Sequence, residues 1–261
     1  MTIIKRQRIT AGSATDTGRI RPQNEDACFV DTERGLFIFS DGMGGANAGA
    51  LASQIVVKVL PQIITQRLAL LKRVRKESVV LLLREAIGKL SQQVHGQSAD
   101  KIEFKGMGAT VVVALILGRQ LYIGHMGDSR AYLLRKGRLK QLTKDHSITQ
   151  LLIDSGEITP KEAKNHPARG KITRVVGMEG EPLPEVSSLK HEPGDLIMLC
   201  TDGLHGMLSE KRILTILRAK ASPATLCRRL IEAANVAGGK DNTTVVAVYT
   251  QACSVDSSRS I

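Results

Sequence analysis

The 261-residue sequence has no tryptophan, and aromatic residues make up only 3% of it. Proteins that bind single-stranded nucleic acid stack the bases on aromatic side chains, so this composition argues against that class. Hydrophobic residues make up 42% and charged residues 24%, which is ordinary for a globular chain and excludes extended disorder and fibrous repeats. The chain therefore has enough apolar residues to bury a core.

Cysteines are few, and long apolar runs are missing. Cys28, Cys200, Cys227 and Cys253 show no Cys-x-x-Cys spacing, so the sequence indicates neither a zinc site made of cysteines nor a disulfide framework. No apolar run approaches the roughly 20 residues of a membrane span. Residues 1–10 lack the apolar stretch of a secretory signal. We expect a cytoplasmic protein with reduced thiols and no membrane span.

No linker rich in proline, serine or glycine divides the chain, and its length fits one large domain. We predict a single domain over residues 1–250, including a surface excursion from residue 146 onward, where Pro160 and Pro167 favour short helices. We expect residues 251–261 to be a disordered tail.

The charge is strongly positive. Lysine and arginine number 37 against 25 aspartates and glutamates, which gives a formal net charge of +12 and favours anionic partners. Between Lys58 and Lys89, eight basic residues stand against two acidic ones. This pattern predicts a basic helical surface, most simply a solvated helix face, with docking of a partner as the alternative.

Hydrophobic periodicity predicts blocks of strands separated by blocks of helices. Strands are expected at 9–15, 27–31, 36–40, 109–117, 120–126, 131–134, 138–142, 196–200 and 243–249, the first three as an antiparallel meander. Helices are expected over 46–94, broken near Pro61 and Glu77, and at 210–219 and 223–236. This order predicts an α+β fold of antiparallel layers and argues against a repeated βαβ unit.

Aspartates lie at the ends of five predicted strands. Asp41, Asp128 and Asp202 end or follow apolar runs, whereas Asp26 and Asp241 precede them. Converging strands would bring these carboxylates into one pocket, where their mutual repulsion favours a bound cation. Oxygen ligands without cysteine or histidine favour Mg²⁺ or Mn²⁺ over zinc.

An Asp-Gly pair is also a common hairpin turn, and this is the alternative interpretation of some of these acids. Asp41-Gly42 fits it poorly, because helix-patterned sequence follows and no returning strand does. For Asp202-Gly203 and Asp241-Asn242 the turn alone stays open. Arg21 lies four residues before Glu25, which precedes Asp26, and the Arg21 guanidinium could bind a phosphoryl group with two hydrogen bonds.

Six segments in order together resemble the metal-dependent Ser/Thr protein phosphatases (the PPM family, type 2C branch), especially their bacterial members. The resemblance spans residues 11–249. It rests on Thr15-Asp16-Thr17-Gly18 with Arg21 and Asn24-Glu25-Asp26, Asp41-Gly42-Met43-Gly44-Gly45, Gly106-Met107-Gly108-Ala109-Thr110, Gly127-Asp128-Ser129-Arg130, Thr201-Asp202-Gly203-Leu204, and Gly239-Lys240-Asp241-Asn242-Thr243-Thr244.

The resemblance implies a four-layer α-β-β-α sandwich, two central antiparallel sheets flanked by helices, with a flap at about residues 146–180 beside the active site. It implies two Mn²⁺ or Mg²⁺ ions. Asp41 would bridge them, Asp202 and Asp241 would complete one, and the Gly42 carbonyl with waters would complete the other.

The remaining implied roles concern the surroundings of these ions. Glu25 and Asp26 would orient the water molecules, and Asp128 with Asp202 would hold a weaker third metal. Arg21 would bind the substrate phosphate. The implied activity is hydrolysis of phosphoserine and phosphothreonine on proteins by a water or hydroxide that bridges the two metals. The implied partners are phosphorylated proteins and an opposing Ser/Thr kinase, with no nucleic acid, and the chain is expected to be a monomer.

The sequence departs from the family where relatives carry a histidine, at Met43 in many animal members and at Ala46 in many bacterial ones. Neither residue can donate a proton, so the general acid stays unassigned. Strand alternation places His125 away from Asp128, as a packed histidine, and we expect His205 in a surface loop. His146 and His166 belong to the flap, which they could order.

Three functions are alternatives to a metal-dependent phosphatase. The missing histidines suggest a phosphoprotein-binding module that has lost turnover. The intact site residues argue against it, namely Asp41, Asp202, Asp241 and Arg21. A two-metal nuclease would use the same ions. Cysteine-based phosphatases need a Cys followed six residues later by an Arg. Of Cys28, Cys200 and Cys227, Cys28 alone satisfies this spacing, and its acidic, strand-like loop argues against that chemistry.

Overall fold

The computed structural model describes residues 8–44, 48–99, 104 and 106–251. In chain order its elements are β1 (Arg8–Asp16), β2 (Asp26–Asp31), β3 (Leu36–Met43), α1 (Ala48–Ala69), α2 (Lys76–Ala99), β4 (Gly108–Ala109), β5 (Val111–Leu117), β6 (Gln120–Met126), β7 (Arg130–Arg135), β8 (Arg138–Gln141), α3 (Ile148–Asp154), a 3₁₀ helix (Glu162–Asn165), β9 (Glu185–Lys190), β10 (Leu196–Cys200), α4 (Asp202–His205), α5 (Glu210–Leu217), α6 (Pro223–Val236) and β11 (Thr243–Gln251).

Two antiparallel sheets form the centre of the molecule. One has the strand order β1-β11-β10-β7-β8, and the other has the order β2-β3-β5-β6-β9 with β4 paired to β3. Alternate side chains of both sheets meet in a fully buried layer between them, which includes Phe37, Phe39, Ile197 and Val246. This packing buries one face of each sheet.

Helices cover the outer face of each sheet. Apolar residues of α1 and α2, such as Leu60 and Leu83, pack against the sheet that contains β3. Leu204 of α4, Ile213 of α5 and Leu230 of α6 pack against the sheet that contains β11. The four-layer α-β-β-α sandwich predicted from the sequence is confirmed.

The first helix corrects one prediction. We expected a break near Pro61, but α1 runs unbroken from Ala48 to Ala69 with Pro61 buried inside it. The missing N–H costs the helix one hydrogen bond, and the buried side chains on both sides, Leu60 and Ile64, hold the helix on the sheet. By length and composition α1 could cross a membrane, yet half of its most apolar window is buried inside the fold.

The first strand corrects a second prediction. β1 pairs with β11, with Ile9 opposite Thr250, and lies in the opposite sheet from β2 and β3. The predicted three-strand meander is therefore wrong, and only its second hairpin forms. The physical reason is the connection, because residues 17–25 are too long for a tight hairpin and cross from one sheet to the other.

The hairpins predicted from glycine positions are confirmed. β7 and β8 are joined at Lys136-Gly137, where both residues have positive φ, 49° and 75°. This is the backbone that a two-residue turn of type I′ requires. β5 and β6 are joined at Gly118, whose φ is 57°.

The flap carries the short helices that its prolines predicted, α3 and the 3₁₀ helix. It is tied to the body at its end, where Gly177 N donates to Ser91 Oγ of α2 at 3.0 Å. Just beyond it lies β9, an edge strand paired with β6 that sequence analysis missed. Its half-buried sequence, with two adjacent serines, gives little hydrophobic alternation to detect.

Candidate active site

Five aspartates from both sheets converge at one end of the sandwich. Asp26 begins β2 and is the direct cross-strand partner of Asp41 in β3. Burial raises the pKa of Asp41 well above its usual value, and the nearby charges of Asp26, Asp202, Asp128 and Asp241 raise it further. The cluster of acids predicted from strand ends therefore exists, and we call these five residues the carboxylate cluster.

The cluster has an interior and a mouth. The side chains of Asp26 and Asp128 are buried, whereas Asp41, Asp202 and Asp241 are half-buried. The three acids expected to bind metal directly are thus the ones that solvent reaches.

The buried acids lack hydrogen-bond partners. Both carboxylate oxygens of Asp26 and Oδ1 of Asp128 are buried without a partner among the described residues. The hydroxyls of Thr244 and Thr201 lie near enough to Asp26 to lower its pKa somewhat, but not in hydrogen-bonding geometry. Burial dominates and raises the pKa of Asp26 to about 7. Burial, and then the charge of Asp202, raises that of Asp128 to about 7.

A raised pKa is also found at the mouth of the cluster. Burial raises the pKa of Asp202 to about 6, the charge of Asp241 adds to this, and the charge of Arg21 opposes it. A site that raises the pKa of its carboxylates favours either protons or a bound cation. Carboxylates that share one pocket offer the oxygen ligands that a divalent ion prefers, and the partnerless oxygens of the buried Asp26 can accept hydrogen bonds from water held there. The residues present therefore fit the Mn²⁺ or Mg²⁺ pair that the sequence predicted.

Arg21 stands at the rim of the cluster. Its Nη2 donates to Asp241 Oδ2 at 2.7 Å, and half of its side chain is exposed. This hydrogen bond raises the pKa of Arg21, and the charges of Asp202 and Asp41 contribute further. The guanidinium therefore lies beside the mouth, where a phosphate entering the cluster would meet it.

Asn242 is a positioning residue in the last of the six motifs, and its role becomes visible only in the folded chain. Its Oδ1 accepts from Glu25 N at 2.8 Å, and its Nδ2 donates to Thr17 O and Gln23 O, both at 2.9 Å. One buried side chain thereby fixes the loop that carries Arg21. No local pattern could reveal this, because its partners lie near the opposite end of the chain.

Two glycines allow the close backbone approaches on which the site depends. A Cβ on Gly42 would lie 2.0 Å from Gly49 O of α1, and one on Gly203 would lie 1.9 Å from Asn242 O. Any side chain at either position would push a helix away from the cluster. Gly42 N also donates to Glu25 O at 3.1 Å, which holds Glu25 beside the mouth.

One histidine lies where the sequence did not place it, and another has the role that was expected. His205 was expected in a surface loop, but it ends α4, and its Nε2 donates to Asp128 O at 3.1 Å. The helix places His205 against the backbone of Asp128, and burial lowers the pKa of His205 to about 3. His166 accepts from Ala168 N at 3.1 Å and orders a turn of the flap.

The positions that carry histidine in relatives give no proton donor here. Met43 ends β3 at the edge of the cluster. Ala46 lies outside the described residues, as do residues 252–261, where a disordered tail was expected. Cys28 is half-buried, and burial raises the pKa of its thiol, which is the reverse of what a nucleophilic cysteine needs.

Comparison with known proteins agrees with this geometry. The family model described as protein phosphatase 2C matches residues 21–236. The chain belongs to this family. The serine/threonine phosphatase stp of Listeria welshimeri is 36% identical over 237 residues, which cover 90% of this chain and 93% of the relative. As a member of the 2C family with relatives of this kind, the chain is a protein Ser/Thr phosphatase of bacterial type.

Solved structures of serine/threonine phosphatases have closely similar folds. The S. agalactiae serine/threonine phosphatase has a TM-score of 0.84 at 30% identity, covering 94% of this chain and 100% of that one. The catalytic domain of the phosphatase PstP, in complex with two manganese ions, has a TM-score of 0.75 at 34% identity, covering 94% of this chain and 99% of that one.

Proposed function

We propose that this phosphatase hydrolyses phosphoserine and phosphothreonine in proteins directly with water, using two Mn²⁺ or Mg²⁺ ions held by the carboxylate cluster. The observation that carries the proposal is the convergence of five aspartates beside a half-exposed arginine. The two manganese ions of the PstP catalytic domain, which is similar over nearly its whole length, support it.

Three acids at the mouth would hold the ions. Asp41 stands centrally and would bridge them, Asp202 and Asp241 would complete one, and the Gly42 carbonyl would face the other. Bound there, the ions would lower the pKa of a water molecule toward neutrality and offset the charge of the phosphoryl oxygens. Asp128 would share a third, weaker ion with Asp202.

Side chains around the cluster would position the substrate phosphate and the water molecules. Arg21 would bind the phosphoryl oxygens from the rim, where Asp241 holds its guanidinium in place. Glu25 and the buried Asp26 would accept hydrogen bonds from water molecules and so orient them. Neither Met43 nor Cys28 takes part in proton transfer, and the leaving oxygen would take its proton from solvent.

The partners follow from charge and from this chemistry. The formal charge of +12 attracts phosphorylated proteins without selecting among them. We propose that the enzyme acts as a monomer in the cytoplasm, where it opposes a Ser/Thr kinase. The basic surface of residues 58–89 on α1, α2 and their connection would dock these partners, although one of its arginines, Arg67, is already paired with Glu85.

The experiment is turnover of a phosphothreonine peptide, and of a small aryl phosphate, with Mn²⁺, with Mg²⁺ and with a chelator. We expect turnover with either metal, loss with chelator, and loss in Asp41→Asn. Binding of the phosphopeptide without turnover at any metal concentration would instead establish the catalytically weak binding module.

Opposition to a kinase needs a separate test. Deleting the gene should increase the occupancy of specific phosphoserine and phosphothreonine sites, and the wild-type enzyme, but not Asp41→Asn, should reverse the increase. An unchanged phosphoproteome would contradict this part of the proposal while leaving the chemistry in place.

A further inference from the structure

Asp128 and Asp202 adjoin two neighbouring strands of the same sheet. β7 and β10 are antiparallel, and Arg130 of β7 lies directly opposite Cys200 of β10. Asp128 comes two residues before Arg130, and Asp202 comes two residues after Cys200. Antiparallel pairing puts the start of one strand beside the end of the other, so the two acids lie together at one end of the sheet.

A histidine joins the segments of backbone that carry these two acids. α4 is a single turn that begins at Asp202 and ends at His205. The Nε2 atom of His205 donates to the carbonyl oxygen of Asp128 at 3.1 Å, which places the proton of the neutral ring on Nε2. One imidazole therefore connects the helix of Asp202 to the backbone of Asp128.

Each end of this connection is anchored by contacts of its own. On the helix side, Leu204 is fully buried in the core between α4 and its sheet. On the other side, Gly127 directly precedes Asp128 and exchanges two hydrogen bonds with His146. Its N–H donates to His146 Nδ1 at 3.2 Å, and its carbonyl accepts from His146 N at 3.0 Å. His205 thus connects two segments that are held separately, and its contact sets the distance between them.

The imidazole of His205 makes this contact as a neutral group. Burial lowers the pKa of His205 to about 3, so the ring carries no charge at physiological pH. A neutral donor fixes the Asp128 backbone without repelling a cation bound between the acids, whereas a lysine or arginine here would oppose that cation. The Nε2 proton is directed at a carbonyl oxygen and not at the mouth of the cluster, so His205 does not serve as the general acid.

We propose that His205 is a positioning residue that sets the separation of Asp128 and Asp202 and thereby the affinity of the chain for a third Mn²⁺ or Mg²⁺ ion. The inference rests on the proposed function, in which these two carboxylates share that ion. Asp128 Oδ1 is buried without a partner among the described residues, so it is available as a ligand. Ligands that are already in place lose less freedom on binding, so holding Asp128 near Asp202 strengthens the site.

The test is a Mn²⁺ binding isotherm of the full-length protein, measured by equilibrium dialysis up to concentrations that fill the weakest site. His205→Leu has no donor and should weaken binding of the weakest ion by roughly 3- to 10-fold while leaving the two tighter ions unchanged. His205→Gln carries an amide N–H at a similar reach and should recover most of this affinity. Unchanged affinity in His205→Leu, no recovery in His205→Gln, or a wild type that stops at two ions would overturn the proposal.

His191 provides the matched control. It is buried, and its Nε2 donates to Gly118 O at 2.9 Å. Gly118 lies in the turn between β5 and β6, at the opposite end of β6 from Asp128. His191→Leu therefore removes the same kind of hydrogen bond far from the acids, and it should bind all three ions as wild type does. Equal weakening of the third ion by the two leucine variants would assign the effect to the fold as a whole and contradict the role of His205.

A double variant tests whether His205 acts through Asp128. Asp128→Ala removes one ligand of the third ion, so adding His205→Leu should leave the affinity for the two remaining ions unchanged. A further loss in the double variant would show that His205 supports the ion pair and would contradict the proposal. Failure of the proposed function has a different signature, which is a wild type that neither binds two ions nor turns over a phosphopeptide.

Discussion

Asp26 and Asp41 face each other directly across β2 and β3, and both oxygens of the Asp26 carboxylate are buried without a hydrogen-bond partner among the described residues. Like charges directly opposite each other destabilise a sheet. The pair therefore opposes folding wherever neither a proton nor a cation compensates it.

This relationship predicts that divalent ions stabilise the fold. At a Mn²⁺ concentration 100 times the dissociation constant, one bound ion should add about 2.7 kcal/mol to the free energy of unfolding. Without metal at pH 8, Asp26→Asn should be more stable than wild type by up to about 1 kcal/mol. Urea unfolding with and without chelator measures both effects. A metal-free Asp26→Asn that is less stable than wild type would contradict the repulsion.

Arg21→Ala should lower kcat/KM for a phosphopeptide by roughly 10² to 10³-fold, because it removes a charged donor to the phosphoryl oxygens. The control is Arg19→Ala, an exposed arginine of the same loop whose backbone N–H, and not its side chain, makes the contact with Gly239 O. The measurement is kcat/KM of both variants from steady-state kinetics at saturating Mn²⁺. Equal losses would assign the effect to the loop and not to the guanidinium.

Alanine substitution should lower turnover far more at Asp202 than at Asp128. Asp202→Ala should lose nearly all turnover, since it removes a ligand of the proposed ion pair. Asp128→Ala should lose much less at saturating metal, because only a weaker third ion would depend on it. Turnover measured across a Mn²⁺ titration tests this. Small and equal losses in the two variants would refute the assignment of ligands.

The stability of the protein should carry a histidine-dependent pH effect. Burial lowers the pKa of His146 to about 4 in the folded state, against an ordinary value of 6.5, and the neighbouring His125 adds to the effect. Between these values the unfolded chain binds more protons, so the contribution is complete above pH 6.5 and is lost as the pH falls toward 4.

Other groups also titrate here, the carboxylate cluster in the opposite direction, so the informative quantity is a difference between proteins. Wild type should lose more stability than His146→Gln when the pH is lowered from 7.5 to 5 in chelator. Urea unfolding at the two pH values gives this difference. Identical losses would show that His146 does not hold its neutral form in the fold.

Much of the fold was predictable because its signals are local. The hairpins at Gly118 and Lys136-Gly137 need positive φ, and the sequence marks them with glycine. The pairing of β1 with β11 has no such signal, because it joins distant strands through ordinary alternation. The predicted break at Pro61 is wrong for a related reason, because the packing of α1 on the sheet outweighs one missing hydrogen bond.

The residues of the candidate site likewise fall into those that a local sequence signal predicts and those that only the fold brings together. The five aspartates could be predicted because each sits where an apolar strand starts or stops. Asn242 could not, since its partners at Thr17, Gln23 and Glu25 become neighbours only in the folded chain. The contact of His205 with the Asp128 backbone could not be predicted either, because it depends on the pairing of β7 with β10.

The most direct test of the central claim is the number of Mn²⁺ ions bound per chain, measured by equilibrium dialysis on wild type and Asp41→Asn, with phosphopeptide turnover followed in the same samples. The account predicts at least two ions and turnover in wild type, and loss of both the ion pair and turnover in Asp41→Asn. An Asp41→Asn protein that keeps two ions and full turnover would contradict it.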